Sequence, residues 1–245
     1  GQFDNVEGFL MANGFDRVIS QKDYPSEEIK TALGVPDDYL FRFSIPILNK
    51  LNVKGKPFFA AFMTASDHGP RYIPDYFKPH SSNKEHQSVE YADYSLHKFI
   101  EIAKKQKWFD NTLFVFIADH GAPIDATYDL SLDYNHVPLL FYAPKMIKGN
   151  KVFSRMAGQI DVYPSIMGLL GLPYENNTLG INLFKNERPY IYFIVDVRYG
   201  LFVKDCLLLV KNNGKADLYK YQNQDLKNNI DEKQHLIVKM KNYAE

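Results

Sequence analysis

The stretch Thr112-Leu113-Phe114-Val115-Phe116-Ile117-Ala118-Asp119-His120-Gly121 constrains the chain most. An apolar run rich in large and β-branched residues stops abruptly at Asp-His-Gly. Such a run, closed by a turn residue, predicts a fully buried strand of a parallel sheet. In open α/β sheets, ligand chemistry collects just past the carboxyl ends of such strands. Asp119 and His120 stand at that edge, a carboxylate beside an imidazole. Both are ligands suited to Zn²⁺ or Mn²⁺. Gly121 is expected to let the backbone turn at φ values other residues avoid. The tripeptide alone also fits an ordinary turn with a half-exposed histidine, so the rest of the chain has to decide.

The pattern repeats upstream. Phe58-Phe59-Ala60-Ala61-Phe62-Met63-Thr64 predicts a second buried strand, followed by Ser66-Asp67-His68-Gly69-Pro70. Between the two runs, Glu85 to Lys107 reads as a long helix. Val89, Ala92, Leu96, Phe99, Ile100 and Ala103 form its three-four stripe. Strand, helix and strand together make a βαβ unit. His136-Val137-Pro138-Leu139-Leu140-Phe141-Tyr142-Ala143-Pro144 predicts a further strand with a third histidine at its start. Asp161-Val162-Tyr163-Pro164 opens a helix that closes at Gly171, with Asp161 as its cap. Ser26 is expected to cap an earlier helix, and Gly34 to Asp38 to end that helix and open another.

Beyond Pro189 the grammar changes to short consecutive strands: Tyr190–Val195, Leu201–Lys204, Leu207–Lys211 and Leu218–Tyr221. Asn213-Gly214 is a hairpin turn. Glu232 to Tyr243 predicts a final helix with Leu236, Ile237 and Met240 inward. The 245 residues thus read as an α/β fold. Residues 1–188 form its main part, and 189–245 are antiparallel strands and a helix completing the same domain.

Composition narrows the function. Lys plus Arg equals Asp plus Glu, 29 each, which argues against a nucleic-acid binder. The single cysteine, Cys206, excludes an internal disulfide and a thiolate metal cluster. No run is long and apolar enough to cross a bilayer. His80, His86, His97 and His235 fall in loops or on helix faces. His68, His120 and His136 stand near strand ends. With Asp119 they suit metal-assisted transfer of a phosphoryl or sulfuryl group.

The run Asn111 to Gly121 resembles the metal-binding strand of the alkaline phosphatase superfamily. It is most similar to the sulfatase domain of lipoteichoic acid synthase-like phosphoglycerol transferases. Other segments follow in the family's order. They are Pro57-Phe58-Phe59-Ala60 through Ser66-Asp67-His68-Gly69-Pro70, Tyr91-Ala92-Asp93-Tyr94-Ser95-Leu96, and His136 to Pro144. Gln159-Ile160-Asp161-Val162-Tyr163-Pro164-Ser165 and Leu179-Gly180-Ile181-Asn182-Leu183-Phe184 complete the series.

The resemblance implies a mainly parallel sheet sandwiched between helices, with a small antiparallel sheet at the carboxyl end. It implies one divalent metal, Mn²⁺ or Zn²⁺ ahead of Ca²⁺ or Mg²⁺, held by Asp119 and His120. His68 would contact the phosphate or the leaving oxygen, and His136 would line the substrate pocket or simply precede its strand. The substrate would be a phosphate or sulfate ester linked to a phospholipid or glycan. The parent protein would be bacterial, outside the cytoplasm and tied to the membrane by a segment upstream.

Two departures qualify this. The family's nucleophilic threonine or serine, and a further acidic metal ligand, precede the region that matches from Phe3 onward. The chain is therefore expected to be the carboxyl portion of a larger enzyme, with no nucleophile and an incomplete metal site. Where glycerolphosphate-polymerising relatives carry Phe-Trp-Asn-Arg, this chain reads Phe3-Asp4-Asn5-Val6. A sulfatase, a phosphoethanolamine transferase or a phosphodiesterase therefore stays open. The alternative from another class is a non-catalytic module that binds a glycan or a protein partner.

Overall fold

The computed structural model describes residues 5–53, 55–122, 132–195, 198–222, 225–229 and 234–241. Phe3, Asp4, the side chain of Leu236 and the outer residues of the expected last helix lie outside what can be described. The chain forms two compact units, residues 1–114 with 142–148 and residues 115–141 with 149–245.

The first unit is helical. α1 (Val6–Ala12) precedes α2 (Asp37–Val53) and α3 (Lys84–Ala103), and α2 packs on α3. Asn83 caps α3, its side-chain oxygen accepting the Glu85 N–H at 2.7 Å. The buried face of α3 is Ser88, Tyr91, Ser95, Phe99 and Ala103. This corrects the expected stripe, of which Phe99 and Ala103 remain; Val89 is 54% exposed. Two serines turn inward because each has polar partners there. Ser95 Oγ donates to Tyr91 O at 2.7 Å, and Ser88 Oγ lies between Glu85 O, 2.7 Å away, and the Asp67 carboxylate. Phe99 stacks on Phe41 with ring centroids 4.7 Å apart, and Phe62 and Phe114 also pack against Phe99.

The expected strand over Phe58–Thr64 is not formed. Residues 57–65 carry no strand, and Phe59 and Met63 are 74% and 73% exposed. An apolar run becomes a strand only when a neighbour completes its ladder. Among the described residues no strand pairs with it. Ser26 is no helix cap either, because Ser26–Glu28 is a single 3-10 turn.

β1 (Phe114–Ile117) and α4 (Leu132–Asn135) lead to β2 (Leu139–Tyr142), which hydrogen-bonds to β1; all but Phe114 and Tyr142 of these residues belong to the second unit. β1 is shorter than expected and only half-buried; Phe114 is inside and Ile117 is 41% exposed. α5 (Val162–Leu170) ends at Gly171 as expected.

An antiparallel sheet follows: β3 (Ile191–Val195), β4 (Arg198–Val203), β5 (Cys206–Val210), β6 (Ala216–Gln222) and β7 (Asp225–Asn229), paired in that order. Gly214, at φ +76°, makes the β5–β6 turn that the sequence predicts. α6 (Gln234–Lys241) places Ile237 and Met240 in one core with Leu201, Leu208, Val210 and Leu218. Among the described residues, no helix is long and apolar enough to cross a membrane.

Candidate metal and substrate residues

Asp119 and His120 follow the end of β1, where the ladder with β2 stops and the chain turns. Two contacts define the turn. Gly121 N–H donates to Tyr134 O at 2.7 Å, and a Cβ on Gly121 would lie 2.1 Å from Asp133 O. The glycine is therefore required by close backbone approach; its φ is not in the left-handed region. That corrects the conformational reason expected for it. The Tyr134 ring stacks on the His120 ring, with centroids 4.6 Å apart and planes 17° apart.

The side chains face one another at ligand spacing. His120 Nδ1 meets Gly121 O at 2.7 Å, so this nitrogen carries the proton in the neutral ring and Nε2 keeps its lone pair. His120 Nε2 lies 3.8 Å from Asp119 Oδ2. Two ligands each about 2.1 Å from a shared ion sit roughly 3–4 Å apart. The Asp119 side chain is 90% exposed. Its Oδ1 accepts the His120 N–H at 2.9 Å, which orients the carboxylate without neutralising it. A ligating histidine whose other nitrogen bonds a backbone carbonyl is the usual arrangement around metals. The pair thus fits a divalent ion in donor type and spacing. Among the described residues no third His, Cys, Asp or Glu joins it.

His136 belongs to the same unit. It is exposed between α4 and β2, two residues beyond the tyrosine that stacks on His120.

His68 is in the first unit, on an irregular turn rather than at a strand end. Its Nδ1 meets Gly69 O at 2.7 Å, which leaves Nε2 exposed. A polar network that sequence reasoning missed holds this turn. Asp37, in the first turn of α2, accepts the N–H groups of Ala65 (2.9 Å) and Ser66 (3.2 Å), and its own N–H donates to Ser66 Oγ. Burial pushes the Asp37 carboxyl above the usual range, opposed by those N–H groups. Ser88 Oγ donates to Asp67 Oδ1, and Arg71 Nε donates to Ser88 Oγ at 3.1 Å. Asp38 accepts from Tyr76 and Tyr91. Burial pushes the Tyr76 hydroxyl up to about 12 and raises that of Tyr91 further, so both stay protonated donors. The signal available in the sequence was Asp37-Asp38 opening a helix, two acids where one suffices.

Asp161 stands at the N-cap position of α5 as expected, but its side chain makes no capping hydrogen bond there. It is fully buried and paired with Arg188, whose Nε donates to Oδ2 at 2.8 Å and whose Nη2 donates to Oδ1. Asp161 also accepts Gly158 N–H and Ile181 N–H, each at 2.8 Å.

Comparison with known proteins adds the wider frame. Residues 1–172 match a family model described as sulfatase. Lipoteichoic acid synthase 2 of Bacillus subtilis is 27% identical over 226 residues, covering 78% of this chain and 32% of that protein. The lipoteichoic acid synthase of Staphylococcus aureus is 24% identical over 243 residues, covering 87% and 35%. The chain thus spans about a third of the length of these curated relatives. Among solved structures, an alkaline phosphatase superfamily protein from Vibrio parahaemolyticus superposes with TM-score 0.87. It is 27% identical, over 98% of this chain and 60% of that one. The lipoteichoic acid synthase LtaP from Listeria monocytogenes gives TM-score 0.68 at 21% identity, over 99% and 67%. The fold is therefore that of the alkaline phosphatase superfamily, with a small antiparallel sheet.

Proposed function

The chain belongs to the sulfatase family, and on that premise we propose that it carries part of the catalytic apparatus of a metal-dependent transferase or hydrolase of phosphate or sulfate esters. The observation that carries the reading is the Asp119–His120 pair, an open carboxylate and a lone-pair nitrogen 3.8 Å apart. These two would hold one divalent ion, Mn²⁺ or Zn²⁺ ahead of Ca²⁺ or Mg²⁺, because imidazole favours the transition metals. When bound, such an ion polarises the ester oxygen and lowers the pKa of an attacking hydroxyl.

The chain's own residues prepare for that. Gly121 O fixes the His120 tautomer, and Tyr134 fixes the ring plane. His68 has its Nδ1 held at Gly69 O and offers Nε2. Protonated, it donates there to a phosphoryl or leaving-group oxygen; neutral, it accepts. His136 would line the pocket.

The substrate class is a phosphoglycerol-bearing lipid or glycan, by likeness to proteins described as lipoteichoic acid synthases. That likeness also motivates a membrane-associated place outside the cytoplasm.

The test is turnover by the full-length gene product with Mn²⁺, on a phosphoglycerol-bearing phospholipid and on an aryl sulfate. Metal-dependent turnover that disappears in His120→Ala, with the fold retained, is expected. Wild-type rates in that variant would overturn the reading.

A further inference from the structure

The segment beginning Gln159-Ile160-Asp161 has no part in the chemistry so far, yet it touches the candidate metal pair directly. Gln159 opens a single 3-10 turn, Gln159–Asp161. Its Nε2 donates to Ala118 O at 2.9 Å and to Asp119 O at 2.8 Å. A primary amide carries two N–H groups, so one side chain satisfies two successive carbonyls. These carbonyls lie just past Ile117, the last residue of β1.

The turn behind Gln159 is itself fixed. Asp161 closes it by accepting Gly158 N–H, and is anchored by Arg188 and by the Ile181 N–H. A buried ion pair thus holds a turn, and the turn holds the exit of β1 through one amide.

We propose that Gln159 is a positioning residue for the Asp119–His120 pair; this rests on the reading that the pair holds a divalent metal. Rotation of the peptide between Ala118 and Asp119 swings the Asp119 side chain. Ligands must stay within about 0.5 Å and 10–20° of their working geometry. The amide blocks that rotation from outside the coordination sphere and needs no contact with the ion.

The experiment is a Mn²⁺ titration of the full-length gene product, followed by calorimetry, with thermal unfolding and steady-state rates measured alongside. Gln159→Ala is expected to weaken Mn²⁺ binding by about tenfold or more, the scale of losing an outer partner. Its Tm stays at the wild-type value, and turnover lost at low Mn²⁺ returns at saturating Mn²⁺. Gln159→Glu keeps the shape but turns a carboxylate on two carbonyl oxygens, so it weakens binding at least as much. Asp119→Ala separates the two claims. If it abolishes Mn²⁺ binding while Gln159→Ala stays within about threefold of wild type, the assignment of Gln159 is wrong and the metal reading stands. If Asp119→Ala leaves binding intact, the metal reading falls and takes this assignment with it. A loss in Gln159→Ala that tracks a fall in Tm and resists excess Mn²⁺ would make the residue structural, which also overturns the proposal.

Discussion

Asp-His-Gly occurs twice in this chain, at 67–69 in the first unit and at 119–121 in the second. The two copies share their local bond: each histidine Nδ1 meets the carbonyl of the following glycine at 2.7 Å. They differ in the carboxylate. Asp67 accepts from Ser88 and lies 3.7 Å from the Arg71 guanidinium. The Asp119 carboxylate accepts only the neighbouring N–H among the described contacts, and the side chain is 90% exposed. A carboxylate committed to a hydroxyl and a cation has little capacity left for a metal, so His68 stands alone beside it. An open carboxylate facing an imidazole nitrogen that keeps its lone pair has the donors a metal would need. The tripeptide does not set the chemistry; the residues delivered to it do.

The comparison can be broken or sharpened by substitution. The largest contrast is expected between the histidines in the full-length gene product. His120→Ala should remove both Mn²⁺ binding and turnover. His68→Ala should keep Mn²⁺ binding and lower kcat by about 10²–10³-fold, as for loss of one group acting on transition-state charge. Loss of metal in His68→Ala would erase the distinction between the copies.

Next in size is the brace behind the second copy. Asp161→Ala leaves the Arg188 guanidinium, 6% exposed, without its partner. With the Leu179 carbonyl as its remaining acceptor and no carboxylate to balance the buried charge, that should cost about 3–5 kcal/mol in denaturant unfolding. A cost under about 1 kcal/mol would mean the pair is not a brace.

The smallest effect concerns the first copy. Asp37 holds Ala65 and Ser66 just ahead of Asp67. Burial raises its carboxyl above the ordinary 3.8, so the folded state binds this proton more tightly than the unfolded state does. The resulting stabilisation is full below the unfolded value and is lost as pH rises through the raised folded value. Asp37→Asn keeps an oxygen acceptor and has no such dependence. Unfolding followed from pH 3 to pH 7 should show the variant gaining on wild type with rising pH, and then a constant difference. A variant that loses ground as pH rises would contradict the burial argument.

What the sequence revealed follows the range of each interaction. β2, α5, the Asn213-Gly214 turn and the antiparallel tail were legible because their signals lie within a few residues. Phe58–Thr64 misled because a strand needs a partner, and composition cannot supply one. β7 was missed because Asp225-Leu226-Lys227-Asn228-Asn229 looks like a loop; it is a strand through pairing with β6.

At the candidate site, Asp119 and His120 were legible from the abrupt end of an apolar run. Gly121 was singled out for the wrong reason, since Asp133 O, which crowds it, is twelve positions away. Asp161 was read as a cap because Arg188 is 27 positions off. Gln159 stood out only as part of a segment that carries the family resemblance; its role was not legible, because an amide gains meaning only from the carbonyls it meets.

The most direct test of the account is a Mn²⁺ titration of the full-length gene product carrying Asp119→Asn, run beside Asp67→Asn. A loss of about 100-fold or more in affinity is expected for the first and less than about threefold for the second. Equal losses in the two variants, or none in Asp119→Asn, would contradict it.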